Sequence, residues 1–184
     1  MNTLFFLLDT AFSLYLMVVL LRFWLQWAKA DFYNPLSQVA VKLTHPILSP
    51  LRRIIPGFRG IDFASLLLAY AVAALKKFVV FMWMGVLKVN VTGLLLLSFL
   101  VVLKQAGSLL FWILIARAIL SWISQGRSSV EYVLYQLTEP LLSPIRRFLP
   151  SLGGLDLSVL VLFFILQGIN FLMLDLVGPL WNQL

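Results

Sequence analysis

Residues 46–64, PILSPLRRIIPGFRGIDFA, return 94 positions later as residues 140–158, PLLSPIRRFLPSLGGLDLS. Aligned at that offset, residues 44–62 and 138–156 agree at ten of nineteen positions, where unrelated stretches of ordinary composition agree at about one. Both stretches are polar, proline-rich islands in a chain otherwise dominated by Leu, Val, Phe and Ile, so they decide how the surrounding apolar runs are counted. The likeness extends outward with a one-residue slip, because Arg22 and Trp27 match Arg117 and Trp122. Each half therefore predicts a span, a surface segment and a second span, at about 4–27 and 63–85 and then at about 106–123 and 157–178.

The fold expected is an all-α membrane protein with four transmembrane helices in two tandem repeats, 1–85 and 106–184, joined by an apolar connector, 86–105. Composition supports the class: 62% of residues are hydrophobic and 11% charged, against about 45–50% and about 25% in soluble domains. The apolar runs are continuous rather than alternating, which disfavours transmembrane strands. No Lys or Arg precedes Arg22 and no small-residue cleavage site follows the first run, so that run is expected to remain as the first span. Residues 78–107 leave three possibilities open: they lengthen spans two and three, form a re-entrant or surface piece, or add a crossing.

Charge arbitrates the orientation. Lys29, Lys42, Arg52, Arg53 and Arg59 lie in the first surface segment and Arg127, Arg146 and Arg147 in the second, while residues 1–21 and 148–184 carry no Lys or Arg. The positive-inside rule then puts both segments in the cytoplasm, both termini outside, and the repeats parallel. Lys76, Lys77, Lys88 and Lys104 stand against this reading, and an inverted arrangement stays open. The net charge of +7 is expected to serve orientation and anionic lipid, not nucleic acid.

Each surface segment opens with an amphipathic stretch, apolar at Leu36, Val39, Ala40, Leu43 and Ile47 and again at Val130, Val133, Leu134, Leu137 and Leu141. Asn34-Pro35 is a start signal for the first. Ser49-Pro50 and Ser143-Pro144 repeat that chemistry, and Pro56 and Pro150 disfavour continued helix, which predicts a separate helix of one or two turns in each half. Gly60, and the Gly153-Gly154 pair, permit a reversal; Asp62 and Asp156 stand where the following spans need an N-cap. The whole motif is expected to form an elbow on the membrane surface.

Arg52-Arg53 and Arg146-Arg147 would then lie in the first turn of the short helices, at the positive end of the backbone dipole, where an anion is welcome. That arrangement suggests a receptor for an anionic phospholipid headgroup or an acidic partner; the simpler alternative is interfacial anchoring without a specific ligand. Arg22 and Arg117 lie inside spans. They are expected to snorkel toward the interface or to pair with Asp62 and Asp156, a transport role being the remaining possibility. The chain has no cysteine and one histidine, His45, and shows no nucleophile motif, metal-ligand spacing or phosphate loop, so no cofactor, metal or catalytic residue is expected.

The doubled P-(L/I)-L-S-P-(L/I)-R-R signature, preceded by DFYNP (31–35) and SQGRSSVEY (124–132), resembles the YggT family of small bacterial membrane proteins in its duplicated form. The first copy departs from the second in having Phe58-Arg59-Gly60 where the later one has Leu152-Gly153-Gly154. The resemblance implies an association with osmotic stress, with division genes or, in plastids, with cytochrome maturation, and no shared catalytic residue. A non-enzymatic scaffold or assembly factor, meeting membrane-protein partners or forming a homo-oligomer, fits these associations. A small ion or solute transporter or channel is the alternative, for which Arg22, Lys76, Lys77, Arg117 and Asn170 are the candidate intramembrane polar residues.

Overall fold

The computed structural model describes residues 3–58, 60–86, 88–124, 128–148 and 157–184. These form six helices: α1 (Thr3–Trp27), α2 (Pro35–Ile54), α3 (Phe63–Trp83), α4 (Val91–Ser124), α5 (Ser129–Arg146) and α6 (Leu157–Val177), followed by a short 3-10 helix, Gly178–Gln183. Among the described residues there is no strand, only a single bridge between Phe58 and Ile61. Helices α1, α3, α4 and α6 are each long and apolar enough to cross a membrane. The protein is an all-α membrane protein with four such helices.

Residues 78–107 are taken up by the end of α3, a short turn and the first half of α4. That turn is built by its backbone: Gly85 has φ +72°, its N–H donates to the Met82 carbonyl, and the Val86 N–H reaches back to Phe81. Two bonds of this pattern around a left-handed residue close a helix end sharply. The same pair of bonds closes α1, where Lys29 takes the left-handed position at φ 51°. Helix α4 then runs unbroken for 34 residues, about 51 Å at about 1.5 Å per residue, longer than a hydrocarbon core of about 30 Å.

Helix α3 packs against α1 and α4 and buries fully a stripe of small residues, Ser65, Ala69 and Ala73. Spaced four apart, they share one face and let the backbones approach, which in lipid replaces the hydrophobic drive that water supplies. Leu16, Val19 and Leu20 of α1, Leu68 and Val72 of α3, Val101 and Ile113 of α4 and Val133 and Leu137 of α5 form one core; Leu110, Leu114, Leu142 and Leu162 form a second beside α6. Leucines and phenylalanines along the outer faces, such as Phe6, Leu14, Phe99 and Phe164, stay exposed, as lipid-facing residues should.

Helices α2 and α5 pack against each other, so the two proline-rich segments sit at the same end of the helix bundle. The structure corrects one expectation about them. The amphipathic stretch and the Ser-Pro-x-Arg-Arg motif do not form two helices: α2 continues through Pro46 and Pro50, and α5 through Pro140 and Pro144. An interior proline removes one backbone bond and crowds the carbonyl four residues before it, at a cost of about 3 kcal/mol or more. All four prolines lie on the exposed sides of their helices, where water or headgroups can reach the freed carbonyls, while Ala40, Thr44 and Leu48 hold the opposite face of α2 in the core. Packing overrides the local stop signal.

Candidate functional site

The first elbow is held by one carboxylate. Asp62, 2% exposed, is the N-cap of α3 and accepts hydrogen bonds from the Ser65 N–H and hydroxyl. Its other strong partner is Arg52, whose guanidinium also donates to Gln26 Oε1 at 3.1 Å. The end of α2, the start of α3 and the end of α1 are thereby tied together. The tight turn between α2 and α3 is closed by reciprocal backbone bonds between Phe58 and Ile61, with Gly60 at φ +84°. Pro56 lies exposed in the same connection.

Two expectations change here. Because α2 is continuous, Arg52 and Arg53 occupy its last turn, where a cation is favourable to the backbone dipole, and not the first turn of a short helix. Ser49 and Pro50 sit within the helix and start nothing. Arg22 neither snorkels nor bonds Asp62: it is 6% exposed, and its Nε and Nη1 have no hydrogen-bond partner among the described residues. Asp62 instead serves Arg52, which approaches from the surface, while Arg22 contributes only its buried charge beside them.

Asp62 makes this elbow acid-sensitive. Burial is the largest influence on its carboxyl and raises it, but the hydrogen bonds from Arg52 and Ser65 and the Arg52 charge together outweigh burial and hold it below its ordinary value. The corresponding stability is complete above the unfolded-chain carboxyl pKa and is lost as pH falls through the lower folded value. The thermal midpoint of the purified protein in detergent should therefore drop below about pH 4. Asp62→Asn should lose that acid step, and identical acid profiles for the two proteins would contradict this assignment.

In the second elbow Arg117 bonds the buried Thr138 hydroxyl and lies 4.9 Å from the Tyr135 ring centroid. Arg146 pairs with Glu139 on its own helix, at 2.8 and 3.1 Å. Glu139 stands at the position of His45 in the first copy, so the inward arginine of each elbow has a carboxylate of different origin. Ser143 and Pro144 lie inside α5, as Ser49 and Pro50 lie inside α2. Pro150, Gly153, Gly154 and Asp156 fall outside the described residues, and with them the pairing expected between Arg117 and Asp156.

The elbows touch. Asn34, which caps α2 through its bond from the Leu36 N–H, also donates through Nδ2 to the Ser129 carbonyl. Gln136 accepts from the Asp31 N–H at 2.9 Å, and Trp24 Nε1 donates to the Leu137 carbonyl at 3.0 Å. On the outer side of this joined surface, Lys29, Lys42, Arg53 and Arg147 are exposed beside Val39, Leu43, Ile47, Ile54 and Phe148. Asp31 is the exposed carboxylate at this end among the described residues. Each arginine pair is thus divided: Arg52 and Arg146 are bonded within the protein, and Arg53 and Arg147 face outward.

A second polar group lies toward the opposite end, where three of the four lysines that oppose the charge rule turn inward. Lys76, 5% exposed, meets Asp9 at 3.1 Å and Ser13 at 2.7 Å; Lys77, 7% exposed, donates to the Gln183 carbonyl at 3.4 Å; Lys104 donates to the Trp181 carbonyl. The 3-10 helix folds back over them, its Trp181 buried and bonded to Asn170 Oδ1 at 2.8 Å. Lys88 stays exposed. Asp9 and Ser13, four apart on one face of α1, were the available sequence signal for this cluster.

The CCB3/YggT family model matches residues 1–83 and 96–177 of the chain. A Vibrio alginolyticus protein of the proC 3′ region is 56% identical over the full length of both chains, and the Escherichia coli K12 protein YggT is 51% identical, over all of this chain and 96% of its own. A chloroplast protein of Arabidopsis thaliana, YlmG homolog protein 2, is 38% identical over 56 residues, 30% of this chain and 22% of its own. No solved structure matches.

Proposed function

The chain belongs to the CCB3/YggT family, and from that footing we propose a non-enzymatic scaffold or assembly factor of the bacterial inner membrane, acting under osmotic or envelope stress. Its two elbows together form the docking face, on the cytoplasmic side. The observation that carries this reading is the division of each arginine pair. Arg52 ties the ends of α1, α2 and α3 together and Arg146 is paired with Glu139 on its own helix, which leaves Arg53 and Arg147, with Lys29 and Lys42, as outward cations at the elbow end. Exposed Ile47, Ile54 and Phe148 beside them suit the headgroup region, where apolar side chains enter the acyl boundary and cations meet phosphate.

Each basic residue near an anionic surface contributes about 1 kcal/mol, so Arg53→Gln with Arg147→Gln should weaken the preference for phosphatidylglycerol by about 2 kcal/mol. The readout is the lipid shell carried in polymer-extracted discs, together with the membrane proteins that co-purify. An unchanged lipid shell and unchanged co-purification in the double variant would remove the docking face. The rival reading, a small ion or solute transporter, draws on the Asp9–Lys76 pair between α1 and α3. Solute or ion flux in liposomes that depends on Lys76 would replace the scaffold reading.

A further inference from the structure

Between α4 and α6 lies a cavity of about 460 Å³, within the range of about 300–1,000 Å³ usual for small-molecule sites. It is rimmed by Leu103 and Ile169, both more than 40% exposed, so it opens sideways into the bilayer. Its walls are apolar along Gly107, Leu110 and Phe111 of α4 and reach Trp24 of α1 at the elbow end. Polar groups gather toward the other end, and they are donors. Lys104 stands 5.6 Å from the Trp181 ring centroid and gives one of its three N–H bonds to the Trp181 carbonyl, its only hydrogen bond among the described residues. Asn170 has its oxygen engaged by Trp181 Nε1, so the amide NH₂ is what it offers to the cavity.

Gln167 lines the same cavity one turn nearer the elbows, and its amide makes no hydrogen bond among the described residues although it faces hydrocarbon. A bare amide there is costly, so a hydrogen-bonding partner is favoured. The charges agree with the donors: Lys77 and Lys104 reach carbonyls of the 3-10 helix beside Lys76, and only Lys76 is paired with a carboxylate, Asp9, among the described residues. We infer that this cavity holds one acyl chain of an anionic phospholipid from the leaflet opposite the elbows, with its phosphate on Lys104 and Asn170. An ester carbonyl, the next acceptor down the lipid, reaches Gln167, and the chain runs along Gly107 and Leu110 toward Trp24. Phosphate, ester and hydrocarbon thus meet ammonium, amide and apolar wall in the same order.

The test is native mass spectrometry of the full chain, delipidated in mild detergent and titrated with phosphatidylglycerol or phosphatidylcholine. Phosphatidylglycerol is expected to fill one site ahead of all later additions. Lys104→Gln should weaken that first event about tenfold or more, the scale of one lost charge-assisted hydrogen bond, and Lys104→Arg should retain it. Gly107→Leu keeps every charge but extends into the cavity, where a Cβ at this glycine meets nothing within 4 Å, and should weaken the event as strongly. Lys88→Gln removes an exposed charge outside the cavity and should leave it unchanged. Wild-type affinity in both Lys104→Gln and Gly107→Leu, or equal first binding of phosphatidylcholine, overturns the site. Displacement of the bound lipid by palmitate as readily as by phosphatidylglycerol overturns the phospholipid assignment in favour of a free fatty acid.

Discussion

Replacing Asp62 by alanine should destabilise the protein by about 3–5 kcal/mol, the range seen when one partner is removed from a buried ion pair. Three contributions act together. The N-cap of α3 is lost, Arg52 loses its carboxylate, and Arg22, buried with two of its nitrogens lacking a hydrogen-bond partner among the described residues, loses the negative charge of Asp62 beside it. The measurement is the thermal midpoint by size-exclusion chromatography of heated, detergent-solubilised protein. Arg22→Met in the same background should recover part of the loss, because it removes the uncompensated buried charge, and Arg22→Met alone should be close to neutral. A change within about 1 kcal/mol for Asp62→Ala would mean that the carboxylate is not what holds the elbow.

The second large effect concerns the pair at the other end. Lys76→Met leaves Asp9, which is partly exposed, without its ammonium partner inside a membrane-spanning helix, and a loss of about 2 kcal/mol is expected. Changing both residues, Asp9→Leu with Lys76→Met, should restore stability to wild type or above it, because well-packed apolar residues avoid the desolvation that a buried ion pair has to overcome. A double variant as unstable as the single one would show that Lys76 is held by its other partner, the Ser13 hydroxyl at 2.7 Å, more than by charge. The same double variant also bears on function. A scaffold should retain co-purifying partners with this pair apolar, whereas a transporter that moves protons or ions through it should not.

Much of the architecture was legible in the chain. The apolar runs locate the four spanning helices because a helix that crosses lipid must be apolar all round, and Asn34-Pro35 and Asp62 mark helix starts by rules that depend only on neighbouring backbone groups. What was not legible depended on direction. The apolar face read on α2, Leu36, Val39, Ala40, Leu43 and Ile47, suits the membrane surface, and Val39, Leu43 and Ile47 are exposed; the stripe that packs on the protein is Ser37, Ala40, Thr44 and Leu48, which apart from Ala40 the apolar pattern does not mark. In lipid the small residues pack and the large apolar ones face outward; the Thr44 hydroxyl, bonded to the Ala40 carbonyl at 2.7 Å, is no burden inside. Lys76, Lys77 and Lys104 counted against the orientation for the same reason: a charge tally records that a lysine exists, not that it turns inward to Asp9 or to the 3-10 helix. The short helix expected at Ser49-Pro50 failed because a local start signal yields to the packing of the longer helix around it.

The side-by-side placement of the two elbows is the claim on which the docking face stands, and the chain, having no native cysteine, allows a direct measurement. Single cysteines at Phe58, Phe148 and Lys88, all exposed, are introduced one at a time and labelled with a membrane-impermeant maleimide in right-side-out and inverted membrane vesicles. Positions 58 and 148 are predicted to react from the same side and position 88 from the other. Labelling of 58 and 148 from opposite sides would contradict the account.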